Sequence, residues 1–391
     1  MGAGIAQVAA SHGCTVYLHD VIAEAIQTGI EAVAERAYRS VKKGKLQASK
    51  REAMLELIKP VDSLGQLKDV ELVIEAIDEN LDAKKSLFAT LEAAVPDTAI
   101  LATNTSSLSV AHIAEGLQKP ARLVGMHFFN PAPVMELVEV VATDTTDEAA
   151  VDAACSLANR WNKTPVRVKD SPGFVVNRVA RGYYLEALRL LEEGVSGVDE
   201  IDATMRILGG FKMGPFALMD LIGLDVSLAS SESIWERLGK PVRLEPHPIQ
   251  RKLVEQGHLG RKTGRGFYFY LDDLALPAYP VDRRSFEVSP LLSDAMLSFV
   301  EKGGSDRASA TEQYIFCRIL GAIVNEAGFA FEEGVASRKD IDIAMMKGAN
   351  YPKGPLGWSD DIGHRTIRGV LKALNRVFPS GRYKCAPTFW E

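Results

Sequence analysis

The chain has 391 residues, 47% of them apolar and 25% charged, with a formal net charge of −6. This is a globular composition with room for two or three domains, and it excludes a disordered or fibrous chain. Charges of both signs are mixed along the sequence, so no basic face can neutralise a phosphate backbone and no nucleic-acid partner is expected. Cys14, Cys155, Cys317 and Cys385 stand far apart without CxxC pairing, which argues against a disulfide framework or a zinc site and suits a reducing compartment. No apolar run of membrane-spanning length and no signal-peptide pattern is read, so no membrane partner is expected and the cytoplasm is the expected location.

Up to about Asp170, short β-branched runs alternate with amphipathic stretches, the pattern of βαβ units and a parallel sheet. A helix begins near Ala3, and strands are expected over residues 15–19, 70–77, 99–103, 122–128, 137–141 and 165–168. The charged segment 21–59, broken by Gly44, reads as a helical hairpin inserted into the first crossover. At Asp170 the character changes: Ser171 is a good N-cap, Pro172 suits the first helical position, and an apolar-periodic run continues to Glu193. From there the chain reads as all-helical, apart from a linker over 271–313 that carries one short helix.

An ungapped repeat runs through the helical part at an offset of 140 residues. Glu186-Ala187 recurs as Glu326-Ala327, Glu192-Glu193-Gly194-Val195 as Glu332-Glu333-Gly334-Val335, Ile201-Asp202 as Ile341-Asp342, and Gly214-Pro215 as Gly354-Pro355. The helical domain is therefore present twice. Where the first copy has Ser171-Pro172-Gly173-Phe174 and Asn177, the second has Thr311-Glu312-Gln313-Tyr314 and Cys317. The second copy keeps the scaffold and drops the polar group, so it reads as structural.

Four places could carry chemistry. Asp20 closes the strand after the opening glycines, where a dinucleotide fold accepts hydrogen bonds from a ribose diol, although an Asp there can equally be a turn or helix cap. His127 ends one strand and Glu139 lies within the next, an arrangement in which a carboxylate can orient an imidazole for proton exchange; a hydrogen-bonded structural histidine is the bland alternative. Thr103-Asn104-Thr105-Ser106-Ser107 follows a buried-looking strand at the sheet edge where α/β folds place ligands, and one of its hydroxyls is expected to cap the helix near Val110. Asn177 is an amide set into an apolar helix, either a ligand to something or a satisfied core group.

Residues 99–108 (AILATNTSSL), 125–141 (GMHFFNPAPVMELVEVV), 169–178 (KDSPGFVVNR) and 259–268 (LGRKTGRGFY) together resemble the 3-hydroxyacyl-CoA dehydrogenase family over nearly the whole chain. The resemblance implies an α/β fold followed by an all-α part: a Rossmann-type, doubly wound NAD-binding domain over 1–170, a helical domain over 171–270, the linker over 271–313, and a second, degenerate helical domain over 314–391. It implies oxidation of an L-3-hydroxyacyl-CoA to the 3-oxoacyl-CoA with hydride transfer to NAD. His127 would be the general base, Glu139 its orienting carboxylate, and Ser106, Asn104 and Asn177 the groups that bind substrate oxygens. Gly2, Asp20, Glu79, Lys84, Asn104 and Lys262 correspond to positions lining the NAD site. In the family's register Gly2 is the third glycine of the turn, Met1 is an internal residue, and the first strand and two pyrophosphate glycines are expected ahead of it, leaving two strands facing a gap. Lys42, Lys43 and Lys45 could meet CoA phosphates, but read more simply as a solvated basic turn. The tandem copy leaves monomer and homodimer both open. Two other readings stand beside the dehydrogenase: a non-catalytic CoA-ester-binding protein, and a dehydrogenase of a free hydroxy acid.

Overall fold

Alternating apolar runs and amphipathic helices build the first of two units, Met1–Ser171, in the computed structural model, which describes residues 1–272, 274–282, 287–304 and 308–390. Its elements are α1 (Gly2–Ser11), β1 (Val16–Leu18), α2 (Ala23–Lys42), α3 (Ala48–Glu56), β2 (Ile58–Pro60), β3 (Leu72–Glu75), α4 (Leu81–Ala94), β4 (Ile100–Thr103), α5 (Val110–Ala114), β5 (Leu123–Phe128), β6 (Leu137–Ala142), α6 (Glu148–Arg160) and β7 (Thr164–Lys169). The expected hairpin is α2 and α3, separated by Gly44 in a left-handed conformation at φ 68°. Strand β2 is not among the expected strands, because its short Ile-Lys-Pro run ends the charged segment and has no alternation to reveal it.

The strands form two hydrogen-bonded sheets, β1-β2 and β3-β4-β5-β6-β7. No strand pairing joins the two sheets among the described residues. The larger sheet departs from an all-parallel one: β3, β4 and β5 run parallel, β6 is antiparallel to β5, and β7 is parallel to β6 through α6. The segment 129–136 joining β5 to β6 is too short for the crossover of a dozen or more residues that a parallel neighbour requires. Side-chain alternation then sorts the two strands. Val124, Met126 and Phe128 of β5, with Val138 and Val140 of β6, enter one apolar core with α1 and α6. His127 and Glu139 are consequently turned to the opposite face of the sheet.

The second unit, Pro172–Glu391, contains α7 (Val176–Val179), α8 (Arg181–Glu192), α9 (Val198–Ile207), α10 (Pro215–Ile222), α11 (Leu224–Arg237), α12 (Pro248–Glu255), an antiparallel hairpin β8 (Tyr268–Leu271) and β9 (Leu274–Pro277), then α13 (Pro290–Lys302), α14 (Ala310–Glu332), α15 (Arg338–Gly348), α16 (Pro355–Ile362) and α17 (His364–Val377). Ser171 and Pro172 do not start a helix. Gly173 and Phe174 have φ of 77° and 49°, so the chain turns through left-handed conformations before α7 begins. The expected linker holds more regular structure than one short helix: part of β8, all of β9, the 13-residue α13 and the first turn of α14 fall within it. Its residues 273, 283–286 and 305–307 lie outside the described residues. Helix α14, with 23 residues and a mean hydropathy of 1.3 over its most apolar window, is long and apolar enough to cross a membrane, contrary to the sequence reading, but 89% of that window is buried inside the protein.

The repeat is visible as matched geometry. Helices α10 and α11 begin and end 140 residues before α16 and α17. Asp202 accepts hydrogen bonds from the Phe216 and Ala217 amides, both 2.9 Å, at the start of α10; Asp342 does the same for Leu356 and Gly357 at 2.7 and 2.9 Å. Glycine is required at each approach, since a Cβ on Gly214 would lie 2.3 Å from Asp202 and one on Gly354 2.1 Å from Asp342. The copies also exchange ion pairs. Arg178 Nε donates to Glu326 at 2.8 Å and its Nη1 to Glu333 at 2.6 Å, while Arg318 Nε donates to Glu186 at 2.6 Å and its Nη1 to Glu193. Burial by itself would raise the Glu186 carboxyl, but Arg318, Arg189 and Arg382 around it hold it down at about 2. That contribution to stability is present above the unfolded carboxyl's pKa and is lost only as the pH falls toward 2. Replacing Asp342 by Ala removes the acceptor for two helix-start amides and should lower stability by ~1–2 kcal/mol in urea denaturation; an unchanged midpoint would contradict the capping role.

Candidate active site

Antiparallel register sets His127 of β5 directly opposite Glu139 of β6. The His127 Nδ1 to Glu139 Oε2 distance is 2.7 Å, and the carboxylate is fully buried. A carboxylate accepts but cannot donate, so it selects the tautomer protonated on Nδ1 and presents Nε2 as the acceptor. The Phe129 ring stands 4.4 Å from the imidazole, tilted by 49°. Gly125, two residues before His127, faces Val141 across the strands, where a Cβ would meet the Val141 Cβ at 2.7 Å. This lets the two strands close up beside the pair.

The loop after β4 is clamped from below by acidic side chains. Glu79 Oε1 accepts from the Thr105 hydroxyl at 2.6 Å, the Ser106 and Ser107 amides at 3.0 Å each, and the Ser107 hydroxyl at 2.9 Å. Lys84 Nζ lies 3.4 Å from Glu79 Oε2 and donates to Glu75 Oε1 at 2.6 Å. Glu75 Oε2 in turn accepts from the Thr103 hydroxyl at 2.6 Å. Burial pushes the Glu79 carboxyl up, but the Thr105 and Ser107 hydroxyls, the Lys84 ammonium and the Ser106 amide outweigh it and leave the group below the ordinary glutamate value. Asn104 carries the connection to the histidine strand, its Oδ1 accepting from the Phe128 amide at 2.8 Å. The loop bearing Ser106 and the strand bearing His127 are thus parts of one hydrogen-bonded frame. The cap of α5 comes from Ser109, whose side chain accepts from the His112 amide at 3.2 Å, and not from the 103–107 cluster.

Two of the other positions singled out in the sequence lie in the first unit. Asp20 is exposed just beyond β1, and its Oδ1 accepts from the Ile22 amide at 3.0 Å. It therefore makes a local turn while presenting a carboxylate at the strand's carboxyl end. Gly2 opens α1, but a Cβ there would lie 3.8 Å from Ala76, an ordinary contact; the tighter approaches are at Gly4, 3.4 Å from Ala132, and Gly29, 3.2 Å from Ala3. In the second unit Asn177 lies on α7, half-buried between fully buried neighbours. Lys262, in the short turn before β8, donates to both carboxylate oxygens of Asp225 at 2.6 Å. Sequence reasoning missed Glu75 as a member of the network, since a Glu at a strand end carries no pattern until the strands pair.

A family model described as 3-hydroxyacyl-CoA dehydrogenase, NAD binding domain, matches residues 1–171, and one described as the C-terminal domain of that family matches residues 173–270 and again 314–391. Among curated proteins, the chain is 37% identical to 3-hydroxyadipyl-CoA dehydrogenase of Escherichia coli, covering 98% of this chain and 93% of that one. It is 42% identical to a probable 3-hydroxybutyryl-CoA dehydrogenase of Bacillus subtilis, over 69% of this chain and 94% of that one. Among solved structures, a 3-hydroxybutyryl-CoA dehydrogenase from Escherichia coli K12 superposes with a TM-score of 0.89 at 36% identity, covering 100% of this chain and 95% of that one.

Lys84 is 1% exposed and Glu75 fully enclosed, so cutting their bond leaves a buried carboxylate without its cation. Lys84→Met should destabilise the protein by ~3–5 kcal/mol in urea denaturation, and the added Glu75→Gln should recover part of the loss. A neutral Lys84→Met would show that the pair does not hold the loop.

Proposed function

We propose, for a chain that belongs to the 3-hydroxyacyl-CoA dehydrogenase family, that the His127 and Glu139 pair performs the proton transfer of the family's reaction. That reaction oxidises a 3-hydroxyacyl-CoA to the 3-oxoacyl-CoA with NAD. The observation that carries the assignment is the 2.7 Å bond between Nδ1 and a fully buried carboxylate. His127 Nε2 accepts the proton of the 3-hydroxyl, and Glu139 holds the ring and stabilises the imidazolium that forms. Ser106 and Asn177 hydrogen-bond the substrate oxygens and turn the C3 hydrogen toward the cofactor. NAD, when bound, accepts the C3 hydride.

The donor set fits that cofactor. Asp20, exposed beyond β1, offers an acceptor for a ribose diol and would repel a 2′-phosphate. Gly2, Asn104 and Lys262 belong to the same proposed set. Glu79 and Lys84 serve it by shaping the 103–107 loop, as the four donors on Glu79 Oε1 suggest. The relatives are named as a 3-hydroxyadipyl-CoA dehydrogenase and a probable 3-hydroxybutyryl-CoA dehydrogenase, which weighs against a non-catalytic CoA-ester binder and against a free hydroxy acid as substrate. The reciprocal Arg178 and Arg318 pairs support a monomer, because the two copies make within one chain the contact that a homodimer would otherwise supply. A cytoplasmic location accords with the free thiols.

His127→Gln should lower kcat with acetoacetyl-CoA and NADH by ~10²–10⁴-fold while leaving NADH binding, followed by fluorescence titration, unchanged; near-normal turnover would defeat the assignment of the base. Free acetoacetate should be reduced far more slowly than its CoA ester, and equal rates would refute the CoA substrate.

A further inference from the structure

The second unit contains an internal control, because it packs the same helices twice with different interiors. What both copies keep is what folding requires: Arg178, Glu186 and Asp202 recur as Arg318, Glu326 and Asp342. Arg181 is one of the buried groups that are not kept. Arg181, 3% exposed, stands at the start of α8, just past the break in the helical run at Ala180. Its Nε donates to the Asn177 carbonyl at 2.9 Å, and its Nη1 donates to the Ser227 carbonyl at 3.1 Å and the Ser231 hydroxyl at 2.8 Å on α11. The guanidinium lies 4.9 Å from the centre of the Tyr184 ring. Among the described residues no carboxylate pairs with it, and its burial disfavours the charge.

At the corresponding places the second copy has Cys317 for Asn177, Gly321 for Arg181, Val324 for Tyr184, Ile367 for Ser227 and Leu371 for Ser231. Cys317, Val324, Ile367 and Leu371 are at most 1% exposed, so the same helix contact closes with an apolar filling. A buried cation without a counter-charge is the costlier filling, and apolar replacements of buried charges are often neutral or stabilising. The first copy carries it only where Asn177 is also present.

We propose that Arg181 is a positioning residue: it ties the Asn177 peptide to α11 across the helix break and so fixes the direction in which the Asn177 amide meets substrate. This rests on the reading of Asn177 as a substrate ligand. Substituting Arg181 leaves the fold intact, since the second copy folds without it, and loosens the turn that carries the amide.

The test is a double-mutant cycle in the full chain, with kcat and KM for acetoacetyl-CoA and NADH and a thermal melt for each variant. Arg181→Met should unfold cooperatively near the parent temperature and lose ~10–100-fold in kcat, with KM for NADH unchanged. In an Asn177→Ala background the same substitution should cost less than ~2-fold, the non-additivity expected of two residues acting through one contact. A full loss in that background, or a folded Arg181→Met variant with normal kcat, overturns the proposal while leaving Asn177 as a ligand. Normal kcat for Asn177→Ala alone overturns both. A variant carrying the second copy's residues, Arg181→Gly, Tyr184→Val, Ser227→Ile and Ser231→Leu, is run through the same cycle, with the same outcomes deciding should Arg181→Met not fold.

Discussion

The antiparallel pairing of β5 with β6 is the constraint on which the site depends. A histidine and a glutamate twelve positions apart meet because a short link reverses the chain and the register sets them face to face. Shifting that register by one residue would send Glu139 into the apolar core and a valine to the imidazole. Gly125 and Val141, packed closely in the same register, hold it against such a slip. Burial then gives the pair its directional character, since the enclosed carboxylate takes its hydrogen bond from the imidazole.

A second level of order comes from the charged network beneath the loop after β4. Glu75, Glu79 and Lys84 lie close to one another along the chain, yet their partners, Thr103, Thr105, Ser106 and Ser107, belong to the neighbouring strand and its loop. The parallel pairing of β3 with β4 brings them together. Asn104 extends the frame to the strand of His127 through the Phe128 amide. A flexible run of small polar residues is thereby held like a rigid element, which is what a site needs when a fraction of an ångström decides reactivity.

The doubled helical part shows one packing problem solved in two ways. Reciprocal arginine and glutamate pairs and matched aspartate caps are common to both copies. The interior beneath Asn177 is polar in the first copy and apolar at the matching place in the second. Repetition thus separates residues that make the scaffold from residues that the scaffold carries.

Much of this was legible in the chain itself. Most of the strands, the helical hairpin and the repeat follow from periodicity and identity at fixed spacing, which are local properties. Composition and four ordered motifs were enough for the family. The direction of β6, the start of α7 beyond two left-handed residues, the partners of Glu79 and Lys84, and the buried Arg181 guanidinium bonded to the Asn177 carbonyl were not readable, because each depends on which segments become neighbours. Sequence alone determined which residue types are available and where regular structure can form; only the tertiary structure decided which of them face one another, since hydrogen bonds and burial are properties of pairs distant along the chain.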